Sequence, residues 1–177
     1  MNGNVPKAIQ KKERTVSLLM AVILSALLGA LAAFMIRRGM PPQSREATPA
    51  AAMYLVNILE SIVIGVALVL IVPFGKWGRA LAARFHAVPP TLKFNLLNCL
   101  PVSVGSAVLV SAVVSFINVT RAHARIPAEV APPLFGMWFS NWIGLLPLSI
   151  VASYILAVLI SPLIVKAVGL GGPPKGK

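Results

Sequence analysis

Four stretches of this chain carry almost no charge, and each is long enough to cross a lipid bilayer as a helix. A hydrocarbon core about 30 Å thick takes about 20 apolar residues in helical form. Between Arg14 and Arg37 lie 22 uncharged residues, mostly Leu, Ala, Ile and Met. From Ala47 to Gly75 only Glu60 interrupts the run, and a third uncharged stretch lies between Lys93 and Arg121. A fourth runs from Val130 to Val165 and is too long for one simple crossing, so its Pro-rich start belongs at the membrane interface. The resulting spans are residues 15–36, 53–74, 94–117 and 140–165. Backbone polar groups in lipid must be satisfied within the span, which dictates helices. The expected fold is all-α: one polytopic transmembrane domain over residues 1–177, a four-helix bundle.

Composition agrees. Of 177 residues, 58% are hydrophobic and 11% charged, against about half and about a quarter in a soluble domain. The net charge of +12 is dispersed between apolar runs and forms no single basic patch, so nucleic acid is not an expected partner. One cysteine, Cys99, and no Asp at all exclude a disulfide framework and a cysteine-built metal cluster. No Gly-rich phosphate loop, zinc-ligand spacing or nucleophile–base arrangement occurs, and the expectation is a non-enzyme without cofactor or metal. His86 and His123 fall in loops on opposite sides of the membrane and cannot share an ion.

Lys and Arg bias across short loops sets orientation. The N-terminal segment, the loop of residues 76–93 and the C-terminal end together hold eleven of the sixteen cations, and the other two loops hold Arg37, Arg38, Arg45, Arg121 and Arg125. Both termini are therefore expected in the cytoplasm. A rival for the first span is a cleaved signal peptide, because Ala30-Leu31-Ala32 follows a basic start and an apolar run.

The spans also resemble one another. At an offset of 78, Leu18-Leu19 fall on Leu96-Leu97, Ser25 on Ser103, Gly29 on Ala107 and Ala33 on Ser111. At an offset of 89, Val69-Leu70-Ile71 and Pro73 fall on Val158-Leu159-Ile160 and Pro162, and at 88, Ser61 falls on Ser149 and Gly65 on Ser153. Residues 15–84 and 93–168 thus read as two similar helical hairpins, a parallel repeat about an axis along the membrane normal. Ser25, Gly29, Ser61, Gly65, Ser103, Ala107, Ser149 and Ser153 recur at spacings of four on single helix stripes. Lipid offers no hydrophobic drive for helix association, so small side chains that let backbones approach are the expected packing surface. A serine-lined polar path is the other reading.

The second hairpin carries a family resemblance. Leu96-Leu97-Asn98 opens one span, and Trp138-Phe139-Ser140-Asn141-Trp142 leads into another that ends Ser161-Pro162-Leu163-Ile164-Val165-Lys166. This pattern, over roughly residues 96–168, resembles the small bacterial two-helix membrane proteins known as domain of unknown function 2798. The resemblance implies architecture and inner-membrane location, and it brings no activity with it.

Glu60 is the one ionisable group well inside a span. A charge there is costly and marks a functional hypothesis by default. The readings are a proton or cation site, a protonated or hydrogen-bonded helix–helix contact, and a carboxylate reaching the interface. Asn57, three residues earlier on the same face, is its expected hydrogen-bond partner. Pro101 and Pro147 read as kinks and Cys99 as a packed thiol. Trp77, Trp138 and Trp142 sit where aromatic rings anchor a helix at headgroup level. Three functions remain open: a structural or accessory membrane component, a small transporter or proton-coupled channel using Glu60, and a subunit of a larger membrane complex. The expected partners are the lipid bilayer and either a second copy or another membrane protein.

Overall fold

The computed structural model describes residues 7–89, 91–127 and 130–169. The described residues form six helices: α1 (Lys7–Gly39), α2 (Pro42–Ala47), α3 (Ala50–Ile71), α4 (Phe74–Arg84), α5 (Leu92–His123) and α6 (Leu134–Ala167). The chain is all-α, and α1, α3, α5 and α6 are long and apolar enough to cross a membrane. These four make the bundle. The start of α1 lies beside the end of α6, where the Lys12 ammonium donates to the Gly169 carbonyl at 3.1 Å. We call this the proximal end, and the opposite end, which holds α2 and the α5–α6 connection, the distal end.

The helices pack unevenly. α1 contacts α3, α5 and α6, and α5 contacts α1, α3, α4 and α6, whereas α3 and α6 share no substantial contact. The pair α1–α5 therefore forms the centre, with α3 and α6 on opposite sides of it. Burial follows: 44% and 39% of the apolar windows of α1 and α5 are enclosed, against 17% and 22% for α3 and α6. Each outer helix has two faces set by its 3.6-residue period. α3 turns Asn57, Ser61 and Gly65 inward and leaves Leu55, Leu59 and Val63 exposed. α6 buries Ser149, Ser153 and Ala157 and exposes Val151, Ile155 and Leu159.

Two apolar clusters fill the centre. Leu28, Ala32, Ala107, Val110, Val114 and Leu145 form the distal one, and Met20, Leu24, Cys99, Ala157 and Ile164 the proximal one. α1 contributes to both and runs unbroken through Ala30-Leu31-Ala32.

The helices α1 and α5 run past both ends of their expected spans, and the other two long helices differ from theirs at prolines. The second span was placed at residues 53–74, but α3 ends at Ile71. Pro73 has no N–H to continue a ladder, and the chain turns at Val72–Pro73 into α4, an eleven-residue helix where the sequence predicts a loop. α4 buries Phe74, Gly78 and Ala82, one stripe at spacing four, and leaves Lys76, Trp77 and Arg79 exposed. The fourth span was placed from residue 140, but α6 begins at Leu134, directly after Pro132-Pro133.

α4 closes with a left-handed residue. His86 has φ 52°, its N–H donates to the Ala83 carbonyl at 3.0 Å, and the Ala87 N–H donates to the Ala82 carbonyl at 2.9 Å. This double reversal is the Schellman termination, and Ala82 and Ala87 at its two ends are both buried. α5 then starts on Thr91, whose hydroxyl accepts from the Phe94 N–H at 3.2 Å.

Candidate functional site

The polar side chains of the bundle fall into a distal group, the helix seams and a proximal group. In the distal group, Glu60 is at the edge of α3 and meets Arg121 of α5. Arg121 Nη1 donates to Glu60 Oε2 at 3.0 Å and Nη2 to Oε1 at 2.6 Å. Both carboxylate oxygens are thus engaged by one guanidinium, the two-pronged geometry that favours Arg over Lys. The Arg121 side chain is 52% exposed and that of Glu60 23%.

Asn57 does not partner Glu60. Its Nδ2 donates to the Met53 carbonyl one turn back at 2.9 Å, and its Oδ1 accepts from Asn118 Nδ2 at 2.7 Å. The two residues face different ways because three positions of helix amount to 300°, which leaves about 60° between them. Asn57 points into the bundle, where it is buried, and Glu60 lies at the rim. α3 and α5 run antiparallel, so Arg121, one turn nearer the distal end than Asn118, reaches inward past the asparagine pair to Glu60. Asn118 and Arg121 are the site residues that sequence reasoning missed. In the sequence Arg121 reads only as an orientation charge.

The seams hold the small residues. Gly29 faces the α3 backbone, where a Cβ would fall 2.5 Å from the Asn57 carbonyl oxygen and 2.7 Å from Ser61 Oγ. A Cβ on Gly65 would collide with Ser25 Oγ and lie 2.8 Å from Ser25 Cβ. The second hairpin repeats this contact at the matching positions, where Ser153 Oγ lies 3.3 Å from the Ser103 carbonyl and donates to the Ser149 carbonyl at 2.5 Å. Ser103 donates to the Cys99 carbonyl at 2.9 Å and Ser111 to that of Ala107, the local bonding typical of hydroxyls within a helix. Ser25, Ser61 and Ser149 are fully buried, and their hydroxyls have no hydrogen-bond partner among the described residues. These serines line closed seams.

The tryptophans on α6 reach across to α5. Trp138 Nε1 donates to the Ala112 carbonyl at 3.0 Å and Trp142 Nε1 to Ser111 Oγ at 3.1 Å. Their rings stack in parallel with centroids 5.6 Å apart, and Phe116 of α5 meets Trp138 edge-on. Trp77, by contrast, is exposed on α4 and packs edge-on against Phe74.

At the proximal end Arg79 pairs with Glu13 at 2.8 Å, tying α4 to α1. A cavity of about 370 Å³ opens beside this pair, lined by Ser17, Met20, Asn98, Cys99 and Ser161 among others. Asn95 Nδ2 donates to the Val158 carbonyl at 2.9 Å. Pro162 sits four residues after Val158 and has no N–H, so it leaves that carbonyl without its helical donor, and Asn95 supplies the replacement from α5. Cys99 is buried, with its thiol 3.6 Å from the Ala157 carbonyl. Among the described residues no three His, Cys, Asp or Glu side chains are grouped to hold a metal. His86 is at the proximal end, and His123 at the distal end has Nε2 2.9 Å from the Pro132 carbonyl.

No family model matches this chain, and neither does any curated protein or solved structure.

Proposed function

We propose that this chain is a structural or accessory component of the bacterial inner membrane, a multi-pass protein with both termini cytoplasmic and no catalytic machinery. One observation carries the reading: both oxygens of the Glu60 carboxylate are held by Arg121. A proton or cation site needs a carboxylate with free coordination or a titrating oxygen facing a path, and here the acid is engaged in joining α3 to α5. Ser25 and Ser61, which would line such a path, lie against Gly65 and Gly29 with no room for a further Cβ. Eleven of the sixteen cations on the side of the termini and the resemblance of the second hairpin to two-helix bacterial membrane proteins support the location. The expected partners are lipid and either a second copy or another membrane protein.

Purified protein in liposomes under an imposed pH gradient tests this. The expected result is no proton or cation flux above that of empty vesicles, in both the parent protein and Glu60→Gln. A flux present in the parent and abolished by Glu60→Gln overturns the proposal in favour of a Glu60-dependent transporter.

A further inference from the structure

We infer that the distal end of the first hairpin carries a phosphate-binding crevice suited to the headgroup of an anionic phospholipid. The crevice, about 370 Å³, is lined by Phe34, Arg37, Arg38, Arg45 and Tyr54. Three of its five lining residues are arginines. Among the described residues the ion pairs are Arg79–Glu13 and Arg121–Glu60, so no described carboxylate lies within 4 Å of any of these three arginines. Like charges facing one small space repel, and an anion in that space relieves the repulsion.

The connection between α1 and α3 is built so as to hold the cations there. Arg45 Nη2 donates to the Arg38 carbonyl at 3.3 Å and the Met40 carbonyl at 3.2 Å, closing α2 onto the last turn of α1. Arg37 Nη1 donates to the Thr48 carbonyl at 3.2 Å, fixing the approach to α3. A guanidinium has five N–H donors, so these bonds leave most of the donors on Arg37 and Arg45 unspent. Arg38 is exposed, and its guanidinium has no hydrogen bond to a described residue. Forked donors of this kind match the oxygens of a phosphate.

The source of the phosphate follows from depth and from Phe34. The uncharged residues 15–36 rise about 33 Å as a helix, close to the thickness of a hydrocarbon core, which puts Arg37 and Arg38 at headgroup level. Phe34 lies one turn further in on the same helix, is 48% exposed, and offers an apolar wall beneath the cations. A phospholipid uses both features, its phosphate on the arginines and the start of an acyl chain on Phe34. Inorganic phosphate uses only the first.

The test is lipid retention by the full chain in mild detergent, read by native mass spectrometry with phosphatidylglycerol, phosphatidylcholine or inorganic phosphate added. Arg38→Gln is the primary variant because its side chain holds no part of the fold, and Arg125→Gln, a distal cation outside the crevice, is the control. The expected result is preferential retention of phosphatidylglycerol over phosphatidylcholine. Arg38→Gln should lower that retention roughly tenfold, as loss of a charge-assisted bond implies, with Arg125→Gln unchanged. Phe34→Ala should weaken lipid retention and leave phosphate protection untouched. If millimolar inorganic phosphate raises the melting temperature as much as the lipid does, and Arg38→Gln removes the rise, the ligand is the free ion. Equal retention of the two lipids with no effect of phosphate, or equal losses in Arg38→Gln and Arg125→Gln, overturns the crevice.

Discussion

Gly65 and Ser25 show how little room the first hairpin leaves. A Cβ on Gly65 would overlap Ser25 Oγ and stand 2.8 Å from Ser25 Cβ, closer than van der Waals contact allows. Gly65→Ala should therefore push α3 off α1 and lower stability by about 1–3 kcal/mol, the usual cost of overpacking a filled interface. The clash has two parts, which makes the prediction sharp. Ser25→Ala removes the oxygen and leaves the Cβ contact, so it should restore part of the loss, while Ser25→Gly should restore most of it. Thermal unfolding in detergent of the four proteins measures this, and a Gly65→Ala protein as stable as the parent would show that the seam is looser than described. Positions of this kind are legible in a sequence because the period of four is local. The partners of Asn57 and Glu60 are not, since Asn118 and Arg121 are 61 residues away and only the antiparallel packing of α3 on α5 brings them together. Within one helix the spacing of three predicts Asn57 as the partner of Glu60, and nothing local points to α5.

The proline pairs show the same limit at the level of elements. Pro73 and Pro162 fall on matching positions of the two hairpins, yet α3 stops before Pro73 whereas α6 continues through Pro162 to Ala167. Beyond Pro73 the chain is drawn aside: Phe74 packs onto Gly105 of α5 and Gly78 onto the Asn98 carbonyl, contacts that α4 can make only after a turn. Beyond Pro162 the helix survives because Asn95 supplies the missing donor to the Val158 carbonyl. The sequence shows both prolines but not which of them has a donor waiting on a neighbouring helix, so α4 was read as loop. Asn95→Leu should strand the half-buried Val158 carbonyl and cost about 1–3 kcal/mol, as an unmet acceptor shielded from water does. Pro162→Ala restores a backbone N–H at residue 162, within reach of the same carbonyl. In that background Asn95→Leu should cost less than half as much. A double-mutant cycle by chemical or thermal unfolding reads the coupling, and additive losses would mean that Asn95 acts by some route other than this carbonyl.

Over the whole molecule, the central pair α1–α5 with α3 and α6 outside explains why residues far apart in sequence carry equivalent tasks. Each central helix supports its own hairpin partner and the partner of the other, and the Ser25–Gly65 contact has its counterpart in Ser103–Ser153. Four passes through the bundle also put Lys12 beside Gly169 and send Gln43 of α2 to the opposite end. If the bundle spans the inner membrane with its termini inside, Gln43 faces the periplasm and Lys76 of α4 the cytoplasm. Both side chains are exposed, and the single native thiol, Cys99, is 2% exposed, so engineered cysteines report against a low background. Gln43→Cys should react with a membrane-impermeant maleimide in intact cells, and Lys76→Cys only after the cells are opened. The reverse pattern would invert the orientation, and the charge asymmetry would then be explained by the arginines of the distal end outweighing the more numerous cations near the termini. Labelling of both positions in intact cells would mean that α3, the one long helix between them, does not cross. That outcome would strike at α3, whose exposed Leu55, Leu59 and Val63 would then need cover other than lipid.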